Sequence, residues 1–295
     1  MTPFLWFVGK ALDGSCLREG ATLPVAEKIT PFLRWAGSKR RLLPKLSSYW
    51  SCDRRRYVEP FVGSAALFFA IRPRQALLSD INSDLIEAFA LIRDDAAAVY
   101  ERLIGLPLGP ESYYGLRAEN PAILKPVDRA ARFIFLNRFC FNGLYRTNTH
   151  GAFNVPYAHA KTGGLPSWQQ LQACSSLLAN AALCHGDFEE ILLTGVGSKD
   201  FVYLDPPYAV QNRRVFRQYG PDTFGISDLK RLSGVLDEIH ARGAHFVLSY
   251  AWCREANQTF SKWPARRVYT QRNIAGFVRH RRRAAELIVS NVLPQ

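Results

Sequence analysis

The sequence predicts an α/β fold in which one sheet domain carries an inserted, mainly helical domain. Three observations predict it. Strand and helix patterns alternate near both ends of the chain, a mainly helical stretch lies between them, and residues 57–80 have the pattern of a βαβ unit. The predicted parts are an N-terminal arm (1–28), the sheet domain (29–83 and 181–295) and the insertion (84–180).

Size and charge narrow the functional classes. The chain has 295 residues, 48% of them hydrophobic, which is enough for one large domain with an insertion or for two domains. A net charge of +13 with only 21% charged residues indicates a folded protein with a polyanionic partner, most simply nucleic acid. A membrane surface is the rival partner, but we find no basic amphipathic helix and no apolar run near the roughly 20 residues of a spanning helix. The sequence therefore predicts a cytoplasmic protein that does not bind membranes.

Two features carry no predicted chemistry. Residues 1–28 lack clear periodicity and are interrupted by glycines and Pro24, so they are interpreted as an arm outside the core fold. The six cysteines are scattered, with no C-x-x-C pair and no histidine cluster. They are predicted to be reduced structural thiols, with neither a metal site nor a disulfide framework.

The first stretch of alternating pattern contains a candidate cofactor turn. The segment 30–41 is predicted to open a helix ending near residue 49, and 57–64 to form a strand and tight turn before a helix at 65–70. Phe61 and Gly63 would lie where a nucleotide-type cofactor meets the first strand, although only one glycine of the dinucleotide fingerprint is present. An ordinary strand-to-helix turn is the alternative.

Asp80 ends the second predicted strand, 76–80, about twenty residues after the first. An acid at that spacing can accept a hydrogen bond from a ribose hydroxyl. Alternatively, Asp80 caps the helix that begins near Asn82. Both interpretations stay open on the residues alone.

The rest of the chain divides into a helical part and a second stretch of alternation. Residues 140–157 carry aromatics, glycines and turn formers and are predicted to form a β-hairpin loop within the helical part. A helix is predicted over 227–242, with Ser227 as N-cap and Gly243 just beyond its end. Strands follow at 244–250 and 285–290, with a basic irregular stretch between them.

The tetrapeptide Asp205-Pro206-Pro207-Tyr208 is the strongest chemical signal. It follows the apolar run 201–204, which reads as a buried strand, and prolines cannot continue the ladder. The carboxylate, a proline carbonyl and the tyrosine ring are therefore presented at the strand's carboxyl end, where ligands bind in α/β sheets. The two acceptors suit the amino group of a planar base, and the ring suits its face. The alternative is a plain turn with a surface tyrosine.

Trp35, Lys39 and Glu59 are weaker candidates. The tryptophan could pack on an adenine or an amino-acid chain, and the lysine could meet a carboxylate. A buried tryptophan and a solvated lysine at a helix start explain the first two equally well. Glu59 is either a solvated edge acid or a cofactor contact.

Together these motifs resemble the Dam-type DNA adenine-N6 methyltransferases of the D12 class. Four segments occur in that family's order, namely F-L-R-W-A-G-S-K at 32–39, Y-V-E-P-F-V-G-S at 57–64, L-S-D-I-N-S-D at 78–84 and L-D-P-P-Y at 204–208. Segments 135–146 and 151–157 are similar to its DNA-reading hairpin. The resemblance implies a Rossmann-like S-adenosylmethionine-dependent methyltransferase fold with an inserted, mainly helical DNA-recognition domain containing a β-hairpin.

The resemblance also implies a role for individual residues. The implied catalytic residues are Asp205, Pro206, Pro207 and Tyr208. The implied S-adenosylmethionine contacts are Trp35, Lys39, Phe61, Gly63, Asp80, Asp187, Phe188 and Asp205. The implied DNA contacts are Arg34, Phe141, Asn142, Leu144, Arg146 and Pro156. Arg34 stands where lysine is common and Phe141 where tyrosine is common, and the turn after Gly63 is less glycine-rich than in the family.

The implied activity is methylation of N6 of a flipped-out adenine in double-stranded DNA, at GATC or a site beginning GAT. A cognate restriction nuclease is a possible partner of such an enzyme. The basic residues Arg213, Arg214, Arg217 and 279–283 are expected to contact phosphates, against the alternative of a solvated charged face. The rival functions are RNA adenine-N6 methylation and a catalytically silent DNA-binding homologue. A redox Rossmann enzyme is disfavoured by the poor glycine fingerprint.

Overall fold

The computed structural model describes residues 6–7, 29–159, 163–209, 224–271 and 283–295. Within these residues one eight-stranded sheet has the order β1-β4-β3-β2-β5-β6-β8-β7. Its strands are β1 (Trp6–Phe7), β2 (Arg56–Glu59), β3 (Ala76–Asp80), β4 (Ala181–His185), β5 (Asp200–Leu204), β6 (His245–Ala251), β7 (Ala265–Gln271) and β8 (Arg283–Ser290). The five strands from β4 to β6 in that order are parallel, whereas β1, β8 and β7 each pair antiparallel with their neighbour.

Helices cover both faces of this sheet. They are α1 (Leu43–Ser47), α2 (Ala66–Ile71), α3 (Ser83–Ile104), α4 (Pro110–Ala118), α5 (Pro126–Phe139), α6 (Trp168–Leu178), α7 (Phe188–Gly195), α8 (Ile226–Ala241) and α9 (Arg254–Thr259). Short 3₁₀ turns lie at Pro121–Ile123, between α4 and α5, and at Phe141–Gly143, directly after α5. No helix in these ranges is long and apolar enough to cross a membrane.

Strand β5 shows why the sheet forms. All five of its residues are buried, as expected for a central strand of a parallel sheet with helices on both faces. Successive side chains point to opposite faces. Phe201 and Tyr203 therefore join one core with helices α1 to α6, whereas Val202 and Leu204 join the other with α7 and α8. The strand is fixed from both sides, so its carboxyl end is a rigid support.

The predicted insertion shares the first of these cores. Buried side chains of α3, α5 and α6, such as Phe89, Phe135 and Leu171, belong to the same cluster as the sheet residues Tyr57 and Leu78. The domain boundaries at 84 and 180 remain a prediction. Residues 140–157 contain two isolated antiparallel bridges, Cys140–Tyr157 and Thr147–Phe153, and no continuous pair of strands.

Several predicted elements differ in detail. The helix expected in 30–41 begins only at Leu43, because Gly37 has a positive φ of 86° and the segment forms a turn. The N-cap of α8 is Gly225, whose N–H donates to Asp228 Oδ2 at 2.8 Å, and Ser227 lies inside the helix. Gly243 does follow its end, with φ +80°. The stretch expected to be irregular contains β7, an edge strand.

Some predictions fall outside the described residues. The arm 1–28 is described only at β1, which pairs with β4. Arg213, Arg214, Arg217 and 279–282 also lie outside the described ranges, so their phosphate contacts remain a prediction.

Candidate active site

The site lies where the strand order reverses. Strands β2 and β5 are parallel neighbours in register, with Tyr57 opposite Phe201 and Val58 opposite Val202. The chain leaves β2 toward β3 on one side and leaves β5 toward β6 on the other. The two connections diverge and open a crevice at the carboxyl edge, where ligands bind in such sheets. Glu59 at the end of β2 lies on one side of this crevice, and Asp205, directly after β5, lies on the other.

Asp205 is held by a lysine from far along the chain. Lys39 Nζ lies 2.5 Å from Asp205 Oδ1, and the two side chains are 9% and 20% exposed. Ser249 Oγ donates to the same oxygen at 3.3 Å, and Lys39 also donates to the Gly37 carbonyl at 3.3 Å. Both described bonds to the carboxylate end on Oδ1, so Oδ2 can accept from a ligand.

The pair has coupled titration properties. Burial raises the pKa of Asp205, and the Lys39 ammonium opposes that shift. Burial alone would lower the pKa of Lys39, but Asp205, Tyr208 and Glu286 together outweigh burial and raise that pKa above the ordinary value. Lys39 therefore stays charged and favours the ionised form of Asp205.

The predicted cofactor turn brings Trp35, Gly63 and Asp80 together. Gly63 has φ +46° and donates its N–H to Asp80 Oδ2 at 3.3 Å. A Cβ on Gly63 would lie 2.8 Å from Trp35 Cδ1, so only glycine fits under the indole. Asp80 Oδ1 accepts from Asn82 N–H at 3.1 Å, whereas Asn82 itself is the N-cap of α3. The capping alternative for Asp80 is therefore wrong. Burial raises the pKa of Asp80 to about 6, against these backbone bonds.

Three aromatic rings cluster near the carboxyl edge of the sheet, from the segments after β2, after β4 and before α8. The rings of Phe61 and Phe188 lie 5.3 Å apart, and both lie 6.1 Å from Phe224. Asp187 is the N-cap of α7 and pairs with Arg231 at 2.6 Å. Phe224 was not predicted, because its only signal is an aromatic residue shortly before α8.

Glu59 is buried rather than a solvated edge acid. It is 3% exposed and accepts a hydrogen bond from the Tyr57 hydroxyl at 2.9 Å. Burial raises its pKa well above the ordinary value, and the negative charges of Asp205 and Asp80 add to this. The crevice thus has three carboxyl groups at the ends of three adjacent strands.

Tyr208 is anchored by two residues that sequence reasoning missed. Its hydroxyl donates to Glu286 Oε2 at 2.8 Å, and the edge of its ring packs on Tyr250 at 5.1 Å. Tyr250 in turn accepts from the Ala209 N–H at 2.6 Å. One signal pointed to Glu286, because it is an acid inside the otherwise apolar run 284–289. A charge in a buried strand requires a partner.

Arg34 lies beside the loop predicted to read DNA. The backbone N–H of Ala36 donates to the Gly143 carbonyl at 3.1 Å, and Arg34 N–H donates to Asn137 Oδ1 at 2.8 Å. The Arg34 guanidinium donates to the Arg138 carbonyl at 2.9 Å. The side chain is half-buried and is folded back against the end of α5.

The other predicted DNA contacts divide into two groups. Phe141, Asn142 and Pro156 are exposed and adjacent, since Phe141 N–H donates to the Pro156 carbonyl at 2.9 Å. Phe141 is 43% exposed and is therefore not a core residue. Leu144 is half-buried against the first core, and Arg146 donates to Asn154 Oδ1 at 2.7 Å.

Comparison with known proteins identifies the family. A family model described as D12 class N6 adenine-specific DNA methyltransferase matches residues 35–275. The type II methyltransferase M.MjaIII of Methanocaldococcus jannaschii is 34% identical over 76% of this chain and 85% of its own length. The type II methyltransferase M1.LlaDCHI of Lactococcus lactis subsp. cremoris is 30% identical over 89% and 95%, and the DNA adenine methylase of Haemophilus influenzae is 30% identical over 88% and 93%. The chain belongs to the D12 class of N6 adenine-specific DNA methyltransferases.

Proposed function

We propose that this enzyme transfers a methyl group from S-adenosylmethionine to N6 of a flipped-out adenine in duplex DNA, at GATC or another site beginning GAT. The observation that carries the proposal is the Lys39–Asp205 pair at the mouth of the crevice between β2 and β5. The Asp205 carboxylate lies there beside the two prolines and the Tyr208 ring that follow it in the chain. This combination suits a base that carries an amino group.

The residues around the crevice fit S-adenosylmethionine. Gly63 lets the Trp35 indole lie directly on the turn, and the Asp80 carboxylate at the end of β3 can accept from ribose hydroxyls. Phe61 and Phe188 offer an apolar wall for the adenine ring. Trp35 and Lys39 would meet the amino-acid part. When bound, S-adenosylmethionine would supply an electrophilic methyl group.

Asp205 and Pro206 would activate the target nitrogen. The amino lone pair of adenine is delocalised into the ring, so N6 is a poor nucleophile. Hydrogen bonds from N6 to the Asp205 carboxylate and the Pro206 carbonyl favour a more tetrahedral nitrogen and stabilise the positive charge that develops on it. Alignment of N6 with the methyl group in a closed crevice would supply the rest of the rate acceleration. Lys39 helps by keeping Asp205 ionised.

The target base must leave the duplex to reach Asp205. Unstacking costs a few kcal/mol, and stacking on Tyr208 can return about 1–3 kcal/mol. Phe141 is exposed at 43% and lies in the loop predicted to read DNA, so it can fill the space that the base leaves. Arg34 and Arg146 would contact guanine once released from their present carbonyl and amide partners.

The proposal is tested by transfer of labelled methyl to matched substrates. We would compare duplexes containing GATC, GATATC or a scrambled site with an RNA duplex of the GATC sequence. Label on a GAT duplex alone supports the proposal, and digestion to nucleosides must place it on N6 of adenine. Label on RNA alone would replace it with RNA methylation, and no label with tight cofactor binding would indicate a silent homologue.

Two of the relatives are named type II methyltransferases. A restriction nuclease that cleaves the same site is therefore the protein partner to test. Protection of methylated DNA from candidate nucleases would identify it.

A further inference from the structure

We propose that Glu286 is a positioning residue of this reaction, which fixes the ring of Tyr208 for the incoming base through the tyrosine hydroxyl. This inference rests on the proposed function, since it concerns the tyrosine on which the target adenine would stack.

The first support is the burial of Glu286 in a strand. It is 3% exposed and lies on β8 opposite Ala251 of β6 and Val268 of β7. An acid in such a place is costly unless a donor satisfies it. The hydroxyl of Tyr208 is such a donor, at 2.8 Å from Oε2. The strand thus carries a buried carboxyl group at the point where Tyr208 contacts it.

The second support is that the ring is held from three directions. Its hydroxyl is bound by Glu286, its side packs against Tyr250 at an interplanar angle of 72°, and Lys39 Nζ lies 5.2 Å from its centroid. A tyrosine side chain has two torsions, and a pinned hydroxyl together with a packed ring fixes both. A ring oriented before the base arrives loses less entropy when stacking occurs.

The charge of Glu286 has a second effect that an experiment must separate. It raises the pKa of both Lys39 and Asp205, although burial and the pair itself act more strongly on them. Removing that charge lowers the pKa of Asp205 and favours its carboxylate, so the effect on ionisation does not slow a Glu286 variant, whereas loss of the Tyr208 orientation does. A double-mutant cycle with the Tyr208 hydroxyl distinguishes the two.

The experiment measures the single-turnover rate of methyl transfer to a GAT duplex at saturating cofactor. The variants are Glu286→Ala, Glu286→Gln, Tyr208→Phe and the double variant Glu286→Ala/Tyr208→Phe. Loss of a hydrogen bond to a charged acceptor predicts a rate about tenfold lower in each of the Ala and Phe variants. The Gln variant keeps an acceptor and should remain within about threefold of the wild type. The double variant should be no slower than either single variant.

Cofactor affinity and thermal unfolding serve as readouts that a merely structural role would change. We expect the cofactor dissociation constant to stay within about twofold in all variants, because loss of the Glu286–Tyr208 hydrogen bond frees only the Tyr208 ring. Glu238→Ala is the matched control, because this acid is exposed on α8 and pairs with Arg242. It should transfer methyl at the wild-type rate.

If the wild type transfers methyl to a GAT duplex, two results would overturn this inference and leave the proposed function standing. One is a Glu286→Ala rate equal to that of the wild type. The other is a double variant slowed by the product of the two single effects, which would show that Glu286 does not act through the Tyr208 hydroxyl. Absence of transfer by the wild type on every GAT duplex would overturn the proposed function, and the inference with it.

Discussion

Lys39 and Asp205 are 166 positions apart in the chain and form an ion pair of 2.5 Å at the mouth of the crevice. The lysine follows a glycine-containing turn and the aspartate ends the central strand β5. The pair joins the glycine-containing turn before α1 to the D-P-P-Y motif that follows β5. Its two members have separate expected effects on the reaction.

Removing the charge of Asp205 should lower the rate of methyl transfer strongly and leave DNA binding intact. The Asp205→Asn variant loses the stabilisation of positive charge on N6, which predicts a rate at least about 10²–10³-fold lower. Single-turnover transfer and a gel-shift titration with a GAT duplex measure the two properties. Turnover near that of the wild type would remove Asp205 from the mechanism.

Replacing Lys39 should move the acidic limb of the pH profile. Asp205 acts as a carboxylate, so the rate falls when the pH drops through its pKa, which burial already raises. In Lys39→Met the opposing cation is gone, the pKa rises further, and the limb should shift to higher pH. Lys45→Met on the exposed side of α1 is the control. An unchanged limb at saturating cofactor would show that Lys39 does not act on Asp205.

The Asp80 carboxylate should lower the stability of the fold above about pH 6 and contribute to cofactor affinity. Its folded pKa of about 6 lies above the ordinary 3.8, so the folded state binds the proton more tightly and stability is lost as the pH rises through this window. Asp80→Asn should therefore lack this loss of stability as the pH rises through about 6, and its cofactor affinity should fall about tenfold. Thermal melts and calorimetric titration measure both. Equal affinity in the two proteins would exclude a ribose contact.

The pH dependence of cofactor binding offers an independent check on Asp80. In the wild type, affinity should weaken as the pH falls through about 6, because the carboxylate becomes protonated. The Asp80→Asn variant should lack this limb. A limb that persists in the variant belongs to another group.

Gly63→Ala should destabilise the protein and weaken cofactor binding. The new Cβ would meet Trp35 Cδ1 at 2.8 Å, and the positive φ of 46° disfavours any side chain. We expect a loss of about 1–3 kcal/mol in the free energy of unfolding. Gly234→Ala is the control, because it lies in α8 with open space around it and should raise stability by up to about 1 kcal/mol. Wild-type stability of Gly63→Ala would contradict the close contact.

Phe141→Ala should slow base extrusion without affecting the fold. The side chain is 43% exposed, so its loss leaves the core intact, and we expect methyl transfer to be about tenfold slower on a paired adenine. A mismatch opposite the target adenine lowers the cost of extrusion and should restore most of the rate. Ile123→Ala, at an 81% exposed position, is the control. A defect that is equal on paired and mismatched substrates would assign Phe141 a different role.

The sequence predicts those features that belong to one strand end. Asp205 follows four buried β-formers, Asp80 ends β3 and Gly63 turns the chain after β2, all readable from local pattern. Contacts between distant segments were not readable. Glu286 meets Tyr208 across 78 positions, and no local periodicity encodes that pairing.

Edge strand β7 shows a second limit of local pattern. The sequence predicts a basic irregular stretch here, and in the structure Arg266, Arg267 and Tyr269 are exposed while only Val268 is buried among the described side chains of β7. An edge strand needs few apolar residues when its partner supplies the hydrogen bonds. Pairing with β8, rather than alternation in its own sequence, makes it a strand.

The link between Arg34 and Asn137 has a consequence for exchanging specificity among relatives. Backbone and side-chain bonds tie the turn at 34–36 to the end of α5 and to Gly143, and the Trp35 and Tyr145 rings stack at 6.0 Å. A chimera that replaces only residues 84–180 would lose these bonds, because the new segment need not match the turn at 34–36. A chimera that tests the predicted role of residues 84–180 in target recognition therefore requires moving residues 30–38 together with them.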